Sequence, residues 1–261
     1  GSSFTASWAE ETRILSPQRA RLLPVPSERA TEAMALVLEE LGFRLRVRQP
    51  ADGLFISKAL GVDRAQKHGL HVAPVNGLQP VQIELHAFVS RAVEPAHVHV
   101  EAIVTSVMRY DGIRSYAYAR GDVEEQVLGA LERHLGVTGE PIPSFLEERR
   151  QAAARLMKKE ADLCPAGEIR LPEILPASKL KPLFPAGPLR GGESGRVRII
   201  GRIVSDGAFV PAQVVEGSGA SRDLETASLA AVGFWRYRPF RNGPCSFDVP
   251  MTVAIDFKNN R

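Results

Sequence analysis

The sequence predicts an α+β protein in two parts: an antiparallel sheet covered by two helices, then a smaller strand-strand-helix-strand unit. Three observations carry that expectation. Apolar and polar residues alternate over Val81, Ile83, Leu85, Ala87 and Val89, and again on odd positions from Phe247 to Phe257, as half-buried strands require. Helical spacing is confined to a few stretches with their own start and stop signals. Between them, around residues 165–181, the composition shifts to proline with little periodicity.

The chain has 261 residues, 44% apolar and 24% charged, which is enough for two modest cores. Its formal charge of +3 arises in the C-terminal quarter and is far too sparse for a nucleic-acid-binding surface. No run of apolar residues is long enough to span a bilayer as a helix. The opening "GSSFTASWAEETR" has no signal-peptide core and reads as a polar tail over residues 1–25, as if a targeting segment had preceded it. Two cysteines, Cys164 and Cys245, allow one bridge in an oxidising compartment, and the sequence leaves their pairing open.

The first domain is expected over residues 26–136. Ser27 reads as an N-cap, followed by Ala30, Met34, Val37, Leu38 and Leu41 at helical spacing and Gly42 as the stop. Phe43, Leu45 and Val47 then alternate with arginines, "PADG" turns the chain and "LFISKAL" returns, which makes a hairpin. Residues 61–80 have no clear period and read as a loop. Val98, Val100, Ala102 and Val104 give a further strand, and "RYDGIRSYAYA" a turn and the last one. Asp122 with Glu125 resembles a capping box opening a helix whose stripe is Val123, Val127, Leu128, Leu131 and Leu135.

Ser144 with Glu147 opens a connecting helix within residues 137–164, and the Pro-rich linker follows over 165–181. The last domain, 182–261, begins its strands at Val197, Ile199 and Ile203, turns at "SDGA" and returns through "FVPAQVVEG". Leu224, Ala227, Ala231 and then Phe234 or Trp235 lie on one helical face. After "RNG" the final strand carries six apolar odd positions, so one face is expected to be fully buried.

These C-terminal pieces resemble, in order and spacing, the C-terminal domain of TonB, the periplasmic part of the energy transducer that serves outer-membrane receptors of Gram-negative bacteria. "PLFP" at 182–185 is similar to the family's Pro-x-Tyr-Pro opening, with Phe184 in the tyrosine's place. "VSDG", "VVEGSG" and "LETASLAAVGFWRYRPFRNG" resemble its turn, its second strand and its helix with the Trp-Arg-Tyr segment. The chain departs from the family at "AGPLRGGE", where a short helix is usual, and in showing a folded domain where the transducer has a membrane helix and long stalk.

The resemblance implies that an extended peptide of a partner adds to the last strand beside the Pro-x-Tyr-Pro segment. The residues so marked are Pro182, Phe184, Pro185, Val249, Met251, Thr252, Val253 and Ala254, while Pro250 cannot donate to a ladder. In "FWRYRPFRNG" Phe234, Trp235 and Tyr237 read as core and Arg236, Arg238 and Arg241 as the exposed part open to a binding role. "HVHVE" puts His97, His99 and Glu101 on one face of a strand, two ligand types zinc accepts, but with no further ligand this reads as a solvated sheet face.

No nucleophile, metal-hydrolase or phosphate-loop motif is present, so neither an enzyme nor a cofactor is expected. The expectation is a periplasmic envelope protein, free or held to a membrane by a lipid or a segment upstream of this chain. Its partner would be an envelope protein or an outer-membrane receptor peptide. Two alternatives stand beside it: the periplasmic part of a true energy transducer, and a structural protein binding peptidoglycan.

Overall fold

The computed structural model describes residues 18–112, 114–142, 167–183, 195–215 and 221–257. Residues 18–140 belong to one compact unit, and residues 167–182, 195–215 and 221–257 to a second. Both combine helices with antiparallel strands, so the α+β class is the observed one. No helix among the described residues is long and apolar enough to cross a membrane.

In the first unit the elements are β1 (Ala20–Leu23), α1 (Ser27–Glu40), β2 (Leu45–Gln49), β3 (Leu54–Ser57), β4 (Leu60–Gly61), α2 (Val62–Lys67), β5 (Pro80–Val89), β6 (Ala96–Val107), β7 (Arg114–Tyr118), α3 (Asp122–Leu135) and β8 (Glu140–Pro141). The sheet order is β2-β3-β5-β6-β1-β8, with β4 on β5 and β7 on β6. Its core face carries Val98, Val100, Ala102 and Val104 of β6, which join one apolar cluster with Met34, Val37 and Leu38 of α1 and Val127, Leu128 and Leu131 of α3. Period two on the strand and the helical stripe on α1 and α3 thus meet as their spacing requires.

Four local readings differ from the expectation. Residues 20–23, placed in a polar tail, form β1 beside β6, with Ala20 opposite His99 and Leu23 opposite Ala96. Arginines 19 and 21 hid this strand, because charge reads as exposure. Both are held by acids instead: Arg19 lies 3.7 Å from Glu101 and 4.0 Å from Glu124, and Arg21 is ion-paired with Glu132.

The N-cap of α1 is Pro26, not Ser27; the Ser27 amide and hydroxyl both donate to the Glu94 carboxylate, at 2.8 and 2.5 Å. Helix α2 falls in the stretch read as loop, being only six residues long and too short to display a period. The cap of α3 is Gly121, in the left-handed region at φ 100°, and Asp122 accepts from the Ala73 amide rather than closing a capping box. One glycine in the predicted hairpin is obligatory: at Gly53, φ 66°, a Cβ would fall 1.7 Å from the Val89 carbonyl oxygen.

The second unit comprises β9 (Ile169–Arg170), β10 (Glu173–Ile174), β11 (Gly195–Ile203), β12 (Phe209–Val214), α4 (Arg222–Val232), β13 (Tyr237–Arg238), β14 (Phe240–Asn242), β15 (Cys245–Phe247) and β16 (Val249–Phe257). The expected strand-strand-helix-strand order is β11, β12, α4, β16. Ser221 caps α4 by accepting from the Leu224 amide at 3.3 Å. The expected connecting helix and Cys164 lie outside the described residues. Cys245 is disulfide-bonded, and Cys164 is the other cysteine of the sequence.

Part of the stretch expected as a linker is built into this second unit. β9 pairs with β14 and β10 with β13, Pro172 falling in the break between them where its missing donor costs no ladder bond. Ser178 and Leu180 continue the attachment: the Arg236 amide donates to the Ser178 hydroxyl at 2.8 Å, and the Trp235 indole donates to the Leu180 carbonyl at 3.0 Å.

Candidate functional site

The site expected from the sequence is the last strand of the small sheet, and β11 and β12 support it. Sheet order is β12-β11-β16, with β11 in the middle and antiparallel to both neighbours. The odd positions of β11, Val197, Ile199, Gly201 and Ile203, are buried, while Arg196, Arg198 and Ile200 are exposed. A glycine inside this strand weakens it unless something needs the space. Here a Cβ on Gly201 would lie 2.6 Å from the Phe209 ring and 2.4 Å from the Val210 carbonyl, at the point where the β11–β12 register shifts.

β16 runs along the free side of β11 over its whole length, from Ile203 opposite Val249 to Gly195 opposite Phe257. Among the described residues no strand pairs with its other side. Such an edge presents unpaired backbone donors and acceptors. All five residues marked on this strand, Val249, Met251, Thr252, Val253 and Ala254, lie in it.

The strand is shorter and less covered than expected. The predicted run of odd positions from Phe247 breaks at Asp248, whose carboxylate accepts from the Ser205 amide at 2.7 Å. Of the odd positions only Val253 is buried, and Val249, Met251, Ile255 and Phe257 are half-buried. An edge strand has one neighbour rather than two, so its apolar side chains are covered from one side only. Pro250 sits in the ladder opposite Arg202. A proline is tolerated in an edge strand when its donorless nitrogen faces away from the paired neighbour.

The other marked residues separate. Pro182 is half-buried, and Phe184 and Pro185 lie outside the described residues. Arg236, expected to be exposed, is 2% exposed. Its guanidinium donates to the Gly233 and Trp235 carbonyls at 2.6 and 2.8 Å, satisfying acceptors left over where α4 ends. A charge read as surface is therefore a helix-end support. Arg238 is exposed and paired with Glu173 of β10 at 3.0 Å. Arg241 is half-buried and donates to the Pro244 carbonyl across its own turn.

Three aromatics of the same stretch are core, and Phe240 is half-buried: Phe234 and Trp235 are buried, although α4 ends at Val232 and both lie just beyond it. Tyr237 is buried as well, and burial pushes its phenol up to about 12.

The histidine face of β6 is not solvated. His99 and Glu101 are 1% and 3% exposed, His97 is half-buried, and the same face buries Leu54, Ile56, Phe88 and Ile103. The imidazole of His99 lies tilted against Phe88, centroids 6.3 Å apart. Sequence spacing gave the shared face correctly but not its covering. Among the described residues no group of three His, Cys, Asp or Glu is placed to hold a metal ion.

The first unit also contains a cleft of about 450 Å³ lined by Arg21, Leu41, His68, Gln126, Gly129 and Arg133. Gln126 is committed to the backbone of His71, donating to its carbonyl and accepting from its amide.

Residues 181–258 match the family model described as the Gram-negative bacterial TonB protein C-terminal. A TonB C-terminal domain therefore ends the chain, in the position the motifs indicated. Domains of this family are periplasmic interaction and transport modules. No curated protein and no solved structure matches the chain.

Proposed function

We propose that this is a periplasmic envelope protein of Gram-negative bacteria that binds an extended segment of a partner by adding it as a fourth strand to β16. The observation that carries the reading is the position of β16: it is the outer strand of the three-stranded sheet within the residues matching the TonB C-terminal family. Main-chain hydrogen bonds would supply the affinity, and the alternating side chains of β16 the selectivity. Val249, Met251 and Val253 offer the apolar face, Thr252 and Ala254 the small, open one. Arg236 is withdrawn from the binding surface by its burial, and Arg238 lies on the β10 side of the unit.

Thr252→Pro tests this directly. Residue 252 shares its side of the strand with Pro250, so the substitution removes a donor on the side where β16 already lacks one. The expected result is a loss of at least about tenfold in affinity for peptides from outer-membrane receptor N-termini, measured by titration calorimetry, with the thermal transition little changed. Unaltered affinity in a folded variant would remove β16 as the docking edge.

A further inference from the structure

The outward face of the small sheet has a pattern that the strand-addition reading leaves unused. Arg196, Arg198, Ile200 and Arg202 follow one another on the even positions of β11, opposite Asp256, Ala254, Thr252 and Pro250 of β16. Directly opposed residues of an antiparallel pair point to the same face, so these eight side chains form two adjacent rows.

The arginines differ in what holds them. Arg196 is ion-paired with Asp256 at 3.5 Å, and Arg202 is half-buried with its guanidinium on the Asp248 carbonyl at 3.5 Å. Arg198 is exposed, and its side chain makes no hydrogen bond or ion pair among the described residues. The residue opposite it is Ala254, whose single methyl leaves the path across β16 open.

Neighbouring strands lie about 4.8 Å apart, so a strand added outside β16 would run roughly 9–10 Å from β11. A long cationic side chain leaning over an alanine and a glutamate reaching back from the added strand close that gap. Beside Arg198, Ile200 is 40% exposed and lies opposite Thr252, offering an apolar contact two residues along.

We propose that Arg198 selects the partner: the segment added to β16 carries an acidic residue across from Ala254 and an apolar residue across from Thr252. This rests on the strand-addition reading and specifies the peptide chemistry that the edge accepts. The observation behind it is the juxtaposition of an exposed arginine, whose side chain has no partner among the described residues, with an alanine on the edge strand. Charge complementarity of this kind chooses among partners more than it adds to affinity.

The test uses the full chain and three blocked nine-residue peptides of alternating valine and threonine, with Glu, Gln or Lys at the central, outward-facing position. Peptide register on the strand is then set by the charge. At low salt the Glu peptide is expected to bind about three- to fivefold tighter than the Gln peptide, and the Lys peptide weaker still. In the Arg198→Glu variant the order is expected to reverse, Lys above Glu, with an unchanged thermal transition showing that the variant is folded.

Equal affinity for the three peptides, or an order that Arg198→Glu does not move, overturns the assignment of Arg198. Binding by none of them overturns strand addition itself, and the selectivity with it. The two failures are therefore distinct readings of one experiment.

Discussion

Trp235→Ala is expected to unfold the C-terminal unit near room temperature or bring it close to that point, while the N-terminal unit keeps its own transition. The indole is 3% exposed, its N–H donates to the Leu180 carbonyl at 3.0 Å, and the Lys179 ammonium lies 5.2 Å from the ring centroid. Truncation empties a large core site and leaves the Leu180 carbonyl without its donor. A buried tryptophan lost to alanine costs about 3–5 kcal/mol. For a unit of this size that corresponds to a fall of roughly 15–30 °C in its transition. Calorimetry on the full chain reads the two units separately, and Trp235→Phe, which keeps most of the ring, should show a smaller fall. A transition that does not move in Trp235→Ala would mean that the segment around Leu180 and Trp235 is not part of the folded unit.

The second large effect lies in the N-terminal unit and depends on pH. Glu124 on α3 is fully buried, with one carboxylate oxygen accepting from the Ala102 amide at 2.9 Å. Burial, then the neighbouring Glu101, push its carboxyl up from 4.5 to about 7, against the pull of Arg19 and the backbone donors. A raised carboxyl in the folded state means that the folded chain holds a proton the unfolded chain has released. Stability from this group is therefore complete below pH 4.5 and is lost as pH rises through about 7. The full span is on the order of 3 kcal/mol.

Glu124→Gln keeps an acceptor for Ala102 without a charge to bury. The variant is expected to gain on the wild type steadily between those two values and to stay ahead above them. Denaturant unfolding at a series of pH values measures the difference directly. Parallel curves for the two proteins would show that Glu124 does not titrate between the folded and unfolded states.

What the sequence made legible follows from what repeats. Period two in Val98, Val100, Ala102 and Val104, and in Val197, Ile199 and Ile203, needed only the alternation of a pleated strand, and those faces are buried. Helical stripes on α1 and α3 were readable for the same reason. Interactions that join distant residues left no such trace. Glu94 supporting Ser27 is one, and the attachment of Ser178 and Leu180 to Trp235 and Arg236 is another. The prolines at 172 and 176 suggested an extended linker, but only the stretch around Pro172 is extended, and Pro176–Ser178 close a 3-10 turn. Its short strands nevertheless find partners in β13 and β14.

Charge misled in both directions. Arg19, Arg236, His99 and Glu101 are all buried although their residue types favour the surface. Arginine has five donors, and where carbonyls or carboxylates converge it is satisfied inside, as the Gly233 and Trp235 carbonyls show for Arg236. Conversely, Arg196, Arg198 and Arg202 form a row whose common face appears only with β11 in the middle of its sheet. The candidate edge was legible through motif order; that β16 has no second neighbour among the described residues became visible only with strand pairing.

Backbone hydrogen exchange on the full chain, with and without a bound receptor-derived peptide, tests strand addition most directly. Slowed exchange is expected at amides between Val249 and Phe257, strongest around Thr252 and Ala254, with β12 unchanged. Protection appearing on β12 instead, or nowhere in the small sheet while the peptide is bound, would contradict it.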